Sequence, residues 1–261
     1  MSDQKRPDLE LPRTKPGLAA RLRALTPARV GLASTGVSLE TRDWLDFSRC
    51  LAMARDAVHT RLEAAALAAE IADLSSRDAL RLHSAAADRV TYLQRPDMGR
   101  KLDESSRELL VQAARIGDYD LSLVIADGLS ALAVERHAPA LLRELLPHIA
   151  GWKLAPLCVV EQGRVAIGDE IGEALRARVA VVLIGERPGL SSPDSLGAYV
   201  TWQPRRGRTD AERNCISNIR PEGLRYAQAA EQLAFTLSEA RRLKLTGVAL
   251  KIDARRLKPE N

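Results

Sequence analysis

Apolar positions change their spacing along this chain, and the change divides it. From Asp43 onward, Trp44, Phe47, Leu51, Ala54, Val58 and Leu62 recur every three or four residues, as one face of an α-helix does. The alanine-rich RLEAAALAAEIADL carries helical character to about Leu74, and Ser75 and Ser76 then stand where capping side chains belong. The segment that follows, to Gly117, again reads mainly helical, with a break at Arg95-Pro96, since the residue before a proline is pushed out of the helical region. Ahead of all this, Pro7, Pro12 and Pro16 interrupt a polar, basic stretch. Residues 1–26 are therefore expected to be a flexible basic tail and 27–117 a helical region.

After Gly117 short apolar runs replace the helical spacing. LSLVIA (121–126) ends in Asp127-Gly128, APLCVV covers 155–160, VAVVLI covers 179–184 and LGAYVTW covers 196–202. Between the first two, Ala131, Val134, Ala138, Leu141, Leu145 and Ile149 mark a helix; between the second and third, EQGRVAIGDEIGEALRA reads as a glycine-containing loop and a short helix. A long loop through RNCISN is expected after the fourth run, and then a last helix bearing Ala227, Ala230, Ala234 and Leu237. Strands that are apolar throughout and alternate with helices imply a mainly parallel sheet covered on both faces. The fold class is α/β: an N-terminal helical region, a Rossmann-like domain over 118–245, and a basic C-terminal end over 246–261.

In such a sheet a ligand crevice lies outside the carboxyl ends of the strands. Asp127-Gly128, the loop around Val165, Gly185-Glu186-Arg187 and the loop carrying Cys215 should therefore meet at one edge. Taken singly each is ordinary: Glu186-Arg187 a surface ion pair, Cys215 a packing side chain, Asp127-Gly128 a cap and turn. Their placement after successive strands is what raises them to a candidate site.

Composition narrows the chemistry. With 46% hydrophobic residues a core is assured, and no run approaches eighteen apolar residues, so no membrane segment is expected and a cytoplasmic location is. The net charge of +5 is concentrated toward the two ends, and aromatics are only 3%, which leaves little with which to stack nucleic-acid bases; no nucleic-acid partner is expected. Cys50, Cys158 and Cys215 are widely spaced and fit reduced thiols. No histidine follows His148, which argues against a metal centre or a histidine-activated nucleophile at the edge. Neither G-x-G-x-x-G nor G-x-x-x-x-G-K-[ST] occurs at a strand end. What remains is a set that positions: Asp127, Glu186, Arg187, Cys215, Ser217, Asn218 and exposed backbone, suited to a large ligand studded with amides.

Seven motifs then appear in one order: LTPARVG (25–31), TYLQRPDMGRKL (91–102), VIADGLSA (124–131), GRVAIGDEIGE (163–173), VVLIGERPGL (181–190), SLGAYVTWQPR (195–205) and CISNIRPEG (215–223). In these the chain resembles the small (light) subunits of ethanolamine ammonia-lyase over roughly residues 25–245. The resemblance implies a lyase subunit inactive alone, a large-subunit partner whose TIM barrel holds the substrate, a hetero-oligomer, and adenosylcobalamin between the two subunits. It places cofactor contacts on Val165, Glu186 and Cys215, with Asp127, Gly128, Arg187, Ser217 and Asn218 as a second tier, and no catalytic residue or metal ligand in this chain. D-x-H-x-x-G is absent, so the cobalamin is expected base-on, with its own dimethylbenzimidazole on cobalt. The location implied is the cytoplasm, free or within a bacterial microcompartment. Two other classes stay open at this point: a nucleotide-binding enzyme with an atypical Rossmann loop, and a structural or recruiting module of an assembly.

Overall fold

Even- and odd-numbered residues of the central strands serve two different cores. Leu121, Leu123 and Ile125 pack with Val159, Val179, Val181 and Leu183 on one face, while Val124 and Ala126 pack with Cys158, Val160, Val182 and Ile184 on the other. Because side chains alternate along a strand, continuous apolar runs are what a sheet buried on both faces requires. In the computed structural model, residues 17–26, 28–32, 34–114 and 118–250 are described; of the expected tail and basic end, residues 1–16 and 251–261 lie outside them.

The chain divides into two compact units, Met1–Cys50 and Leu51–Asn261. The first contains helix α1 (Leu18–Arg23), the small antiparallel pair β1 (Ser34–Thr35) and β2 (Ser38–Leu39), and the beginning of helix α2 (Thr41–His59). Within it Arg29 lies 3.0 Å from Asp46. The second unit holds α3 (Ala64–Ser75), β3 (Ala79–His83), α4 (Arg89–Gln94), α5 (Glu104–Ala113), β4 (Tyr119–Ala126), α6 (Ala131–His148), β5 (Leu157–Glu161), α7 (Ile167–Ala174), β6 (Ala177–Gly185), β7 (Leu196–Trp202), β8 (Arg213–Ile219) and α8 (Tyr226–Leu243). No helix among the described residues is long and apolar enough to cross a membrane.

The six strands β3 to β8 form one sheet in the order β3-β5-β4-β6-β7-β8. The first four are parallel, and β7 and β8 add antiparallel to β6. The α/β class and the mainly parallel sheet are as the apolar runs imply. Leu67 and Ile71 of α3, Leu141 and Leu145 of α6 and Leu233 and Leu237 of α8 cover one face, and Ile167 and Ile171 of α7 with Leu110 of α5 cover the other.

Two strands of this sheet depart from the sequence reading, and the pair β1 and β2 likewise falls within 27–117, the expected helical region. Ala79–His83 lies in the stretch read as mainly helical, and RNCISN was expected in a loop; both are edge strands. Each pairs on one side only, and each alternates buried with exposed positions instead of presenting an apolar run: Leu82 is buried beside exposed Arg81, and Ile216 beside exposed Cys215 and Ser217. Polar alternation is how sheet edges are kept soluble, and it hides them from a search for apolar runs.

Two adjacent acids in the first turn of α7 bind the polar seams together. Asp169 receives two parallel hydrogen bonds of 2.7 Å from the Arg213 guanidinium, and both side chains are buried. Arg213 also donates to Thr201 Oγ1 at 2.9 Å and to the Arg208 carbonyl at 3.0 Å. Glu170 accepts from Arg107 Nε at 2.7 Å, from the Leu102 amide at 3.0 Å and from Arg206. Both carboxylates also sit at the positive end of the helix. Breaking a buried pair from one side strands the other charge. Arg213→Ala is expected to lower unfolding free energy by about 3–5 kcal/mol, and Arg213→Met combined with Asp169→Leu by clearly less. Denaturant midpoints of the three proteins check this; a single variant no worse than the double would show that the pair is not a linchpin.

Candidate functional site

The crossovers place an open crevice at the end of β4. Helix α6 connects β4 to β5 on one flank, and α7 then connects β5 to β6 on the other flank of β4. The loops after β4 and β5 therefore leave toward opposite faces of the sheet, the condition for a binding crevice in an open parallel sheet. A cavity of about 410 Å³ lies there, and Gly128, Val165, Glu186 and Arg187 all line it. Four of the residues singled out in the sequence are thus brought together.

The floor of the crevice is set by two glycines. Gly128 has φ +58°, in the left-handed region. The Leu129 amide donates to the Gly185 carbonyl at 3.0 Å. A Cβ on Gly185 would fall 2.6 Å from the Asp127 carbonyl oxygen and closer still to that of Ser130. The turn after β4 and the end of β6 can cross this closely only because neither residue has a side chain. The β6–β7 loop is held from above as well: the Ser130 hydroxyl donates to the Pro193 carbonyl at 3.1 Å, and Arg136 lies 2.8 Å from Asp194.

Glu186 leaves this loop as an oriented carboxylate. Its Oε2 accepts from the buried Ser195 hydroxyl at 2.6 Å and from the Asn218 amide at 3.2 Å. Asn218 is itself in the left-handed region, at φ +58°. Oε1 has no hydrogen bond among the described residues and lies beside Gly197, whose missing side chain leaves it room. Asp127 is different: buried directly beneath the cavity, it accepts from the Gly163 amide at 3.0 Å and faces Arg89 at 3.5 Å. Burial pushes its carboxyl up to about 6, with Arg89 opposing the shift, so near neutral pH it is mainly ionised and Arg89 has a charge to face. It braces the loop and does not line the cavity.

Cys215 does not line the cavity either. It stands opposite Tyr199 in the β7–β8 ladder, and Tyr199 does line it. Desolvation, with the Glu186 charge acting in the same direction, raises the thiol above its ordinary value even though Tyr199 hydrogen-bonds to it, so it stays protonated near neutral pH. Ser217 is exposed on the same strand.

Sequence reading missed Tyr92, Arg89, Arg164 and Ser195. Tyr92 is buried, donates to the Gly163 carbonyl at 3.2 Å, and carries the guanidinium of Arg164 at 4.1 Å and that of Arg89 at 4.7 Å from its ring centre. Such stacking is favourable and fixes guanidinium planes. Arg89 also donates to the carbonyls of Val58 at 2.6 Å and Gly128 at 2.9 Å. Arg164, Tyr92 and Ser195 belong to the motifs GRVAIGDEIGE, TYLQRPDMGRKL and SLGAYVTWQPR, which were the available signal; Arg89 carries none.

This edge offers hydrogen-bond acceptors, stacked cations and an apolar floor, and comparison with known proteins says in which company it occurs. The model of the Ethanolamine ammonia-lyase light chain (EutC) family matches residues 17–251. The ethanolamine ammonia-lyase small subunit of Xanthomonas campestris pv. campestris (strain ATCC 33913) is 56% identical over 253 residues, which are 95% of this chain and 93% of that protein. Those of Pseudomonas aeruginosa (strain LESB58) and Pseudomonas syringae pv. tomato (strain DC3000) are 57% and 54% identical over 237 residues, 89% of this chain in each case and 86% and 82% of the relative. With the whole α/β unit and every element of the crevice inside the matched region, the chain belongs to the ethanolamine ammonia-lyase light chain family.

Proposed function

We propose that this chain is the small subunit of an adenosylcobalamin-dependent ethanolamine ammonia-lyase and forms one wall of a cobalamin site completed by a large subunit with a TIM barrel. The observation that carries the reading is the Glu186 carboxylate, on a residue that lines an open cavity, pinned through Oε2 by Ser195 and the Asn218 backbone amide while Oε1 makes no hydrogen bond among the described residues. The residues present fit the group. A corrin presents carboxamide N–H donors around a broad apolar ring; the crevice presents an oriented acceptor beside the surfaces of Leu129, Val165 and Ile184. Val165 and Glu186 meet the ligand directly in this reading, and Cys215 is a small neutral contact reached past Tyr199.

When bound, adenosylcobalamin supplies a cobalt–carbon bond whose homolysis starts the radical conversion of ethanolamine to acetaldehyde and ammonia. The work of this chain is different in kind. Glu186 orients through a charge-assisted hydrogen bond. The Gly128–Gly185 crossing holds the loop that carries Glu186, and the apolar floor excludes water from that side. No D-x-H-x-x-G occurs in the chain, so none of its histidines would be expected to replace the cofactor's own base when cobalamin is bound.

The direct test is to purify the chain alone and co-expressed with a large subunit, add adenosylcobalamin, desalt, and record the visible corrin spectrum and acetaldehyde formation from ethanolamine. Corrin retention and turnover by the complex only, with a base-on spectrum, are expected; a complex that assembles without holding corrin overturns the proposal. Within the complex, Glu186→Ala is expected to weaken cobalamin retention about ten- to a hundredfold, the equivalent of about 1.5–3 kcal/mol for a charged hydrogen bond. Ser195→Ala should weaken it several-fold alone and add nothing in the Glu186→Ala background, because it acts through that carboxylate. Additive losses measured by equilibrium dialysis would show that Ser195 acts independently of Glu186.

A further inference from the structure

A second cavity, of about 420 Å³, shares Arg164 and Val165 with the first and is lined in addition by Arg100, Ala166 and Arg208. Its charge is lopsided. Arg208 is engaged by Glu212 and by the Gln203 carbonyl. The one acid on the lining, Asp210, is largely exposed and leans toward Arg213 at 3.5 Å. Arg100 and Arg164 have no carboxylate partner among the described residues. Arg164 is held in place by the Tyr92 ring and by a 3.1 Å hydrogen bond to the Tyr92 carbonyl, and its buried Nε has no hydrogen-bond partner among the described residues. Helix α7 also begins at this wall, with Ala166 as its N-cap residue, but its first amides are taken: those of Ile167, Gly168 and Asp169 donate to the carbonyls of Arg164, Val165 and Ala166. Guanidinium groups without a carboxylate partner, gathered in one concavity, make an anion site.

The two cavities adjoin, sharing Arg164 and Val165, but differ in balance: the first sets the fixed Glu186 acceptor and Arg187 among apolar surfaces, the second three guanidinium groups against one exposed acid. The assignment rests on the cobalamin reading above. A corrin edge carries neutral amides, whereas the nucleotide loop of cobalamin carries one phosphodiester anion. We propose that Arg100, Arg164 and Arg208 form a subsite for that phosphodiester. Guanidinium groups suit it, since their planar fork matches phosphate oxygens and their charge does not titrate. The loop QPRRGR, which supplies Arg208, then has a role beyond closing β7 onto β8.

The test uses the complex with the large subunit and two ligands, cobalamin and cobinamide, the same corrin without the nucleotide loop and its phosphate. Arg100 is exposed and makes no ion pair among the described residues, so Arg100→Gln should leave folding and assembly intact. Equilibrium dialysis is expected to show cobalamin affinity about five- to tenfold lower in Arg100→Gln and cobinamide affinity unchanged within about twofold, with Arg100→Lys retaining most of the cobalamin affinity. Arg208→Gln should repeat the pattern. Equal losses for both ligands, or no loss for either, would overturn the phosphate assignment and leave the cobalamin reading standing. A variant that no longer assembles with the large subunit, seen by gel filtration, would assign Arg100 to the subunit interface and overturn it too. Wild-type complex that binds neither corrin would overturn both readings at once.

Discussion

The structure of the crevice depends on one contact, the crossing of the backbone at Gly128 over the backbone at Gly185. Strand ends in a parallel sheet are separated by the spacing of the strands, and loops of ordinary composition splay apart beyond them. Here the Leu129 amide reaches the Gly185 carbonyl at 3.0 Å, and a Cβ at either glycine would strike the other backbone. The turn after β4 and the end of β6 are thereby locked to each other where the sheet ends. Everything useful follows outward from that lock. Glu186 is the next residue after Gly185, Asp127 the residue before Gly128, and Arg89 donates to the Gly128 carbonyl. A glycine pair in this arrangement costs conformational entropy on folding; what it secures is a fixed direction for the Glu186 side chain.

A second layer of constraint lies behind the first. Buried acids at Asp127, Asp169 and Glu170 each hold a guanidinium, from Arg89, Arg213 and both Arg107 and Arg206 respectively. Such pairs contribute little net stability when weighed against apolar replacements, because both partners lose their hydration. Their value here is geometric. Each joins segments far apart in sequence: Asp127 with Arg89, Asp169 with Arg213, Glu170 with Arg107. The helix α7 that carries two of these acids also delivers Val165 and Arg164 to the cavity wall, so the pairs fix the wall without entering it.

How much of this could be read from the chain follows from burial. The runs at 121–126, 179–184 and 196–202 were legible because strands covered on both faces are apolar at nearly every position, small exceptions such as Ser122 and Thr201 aside, and they appear in the structure with ends shifted by two residues at most. The edge strands β3 and β8 were not, because a one-sided strand alternates and ALRLH or RNCISN carries no apolar run. The site shows the same division. Gly128, Val165, Glu186 and Arg187 were found because a rule of topology places the ends of parallel strands together. Ser195 and Arg89 were not, since their importance comes from a hydroxyl meeting Glu186 across a hairpin and a guanidinium meeting Asp127 from 38 residues away. Cys215 was placed at the right edge but on the neighbouring strand, one side chain away from the cavity.

Three polar groups of the two cavities share a property that bears on what such a surface can do. Glu186 is held by two donors, Arg164 by a ring and a carbonyl, Arg208 by Glu212 and a carbonyl. Side chains already restrained in the free protein lose little further freedom when a ligand arrives, so less of each contact's favourable energy is offset by ordering. Groups so committed are poorly suited to shuttling protons, which requires a titrating partner free to change its bonding. Restraint of this degree therefore favours recognition over reaction at these groups.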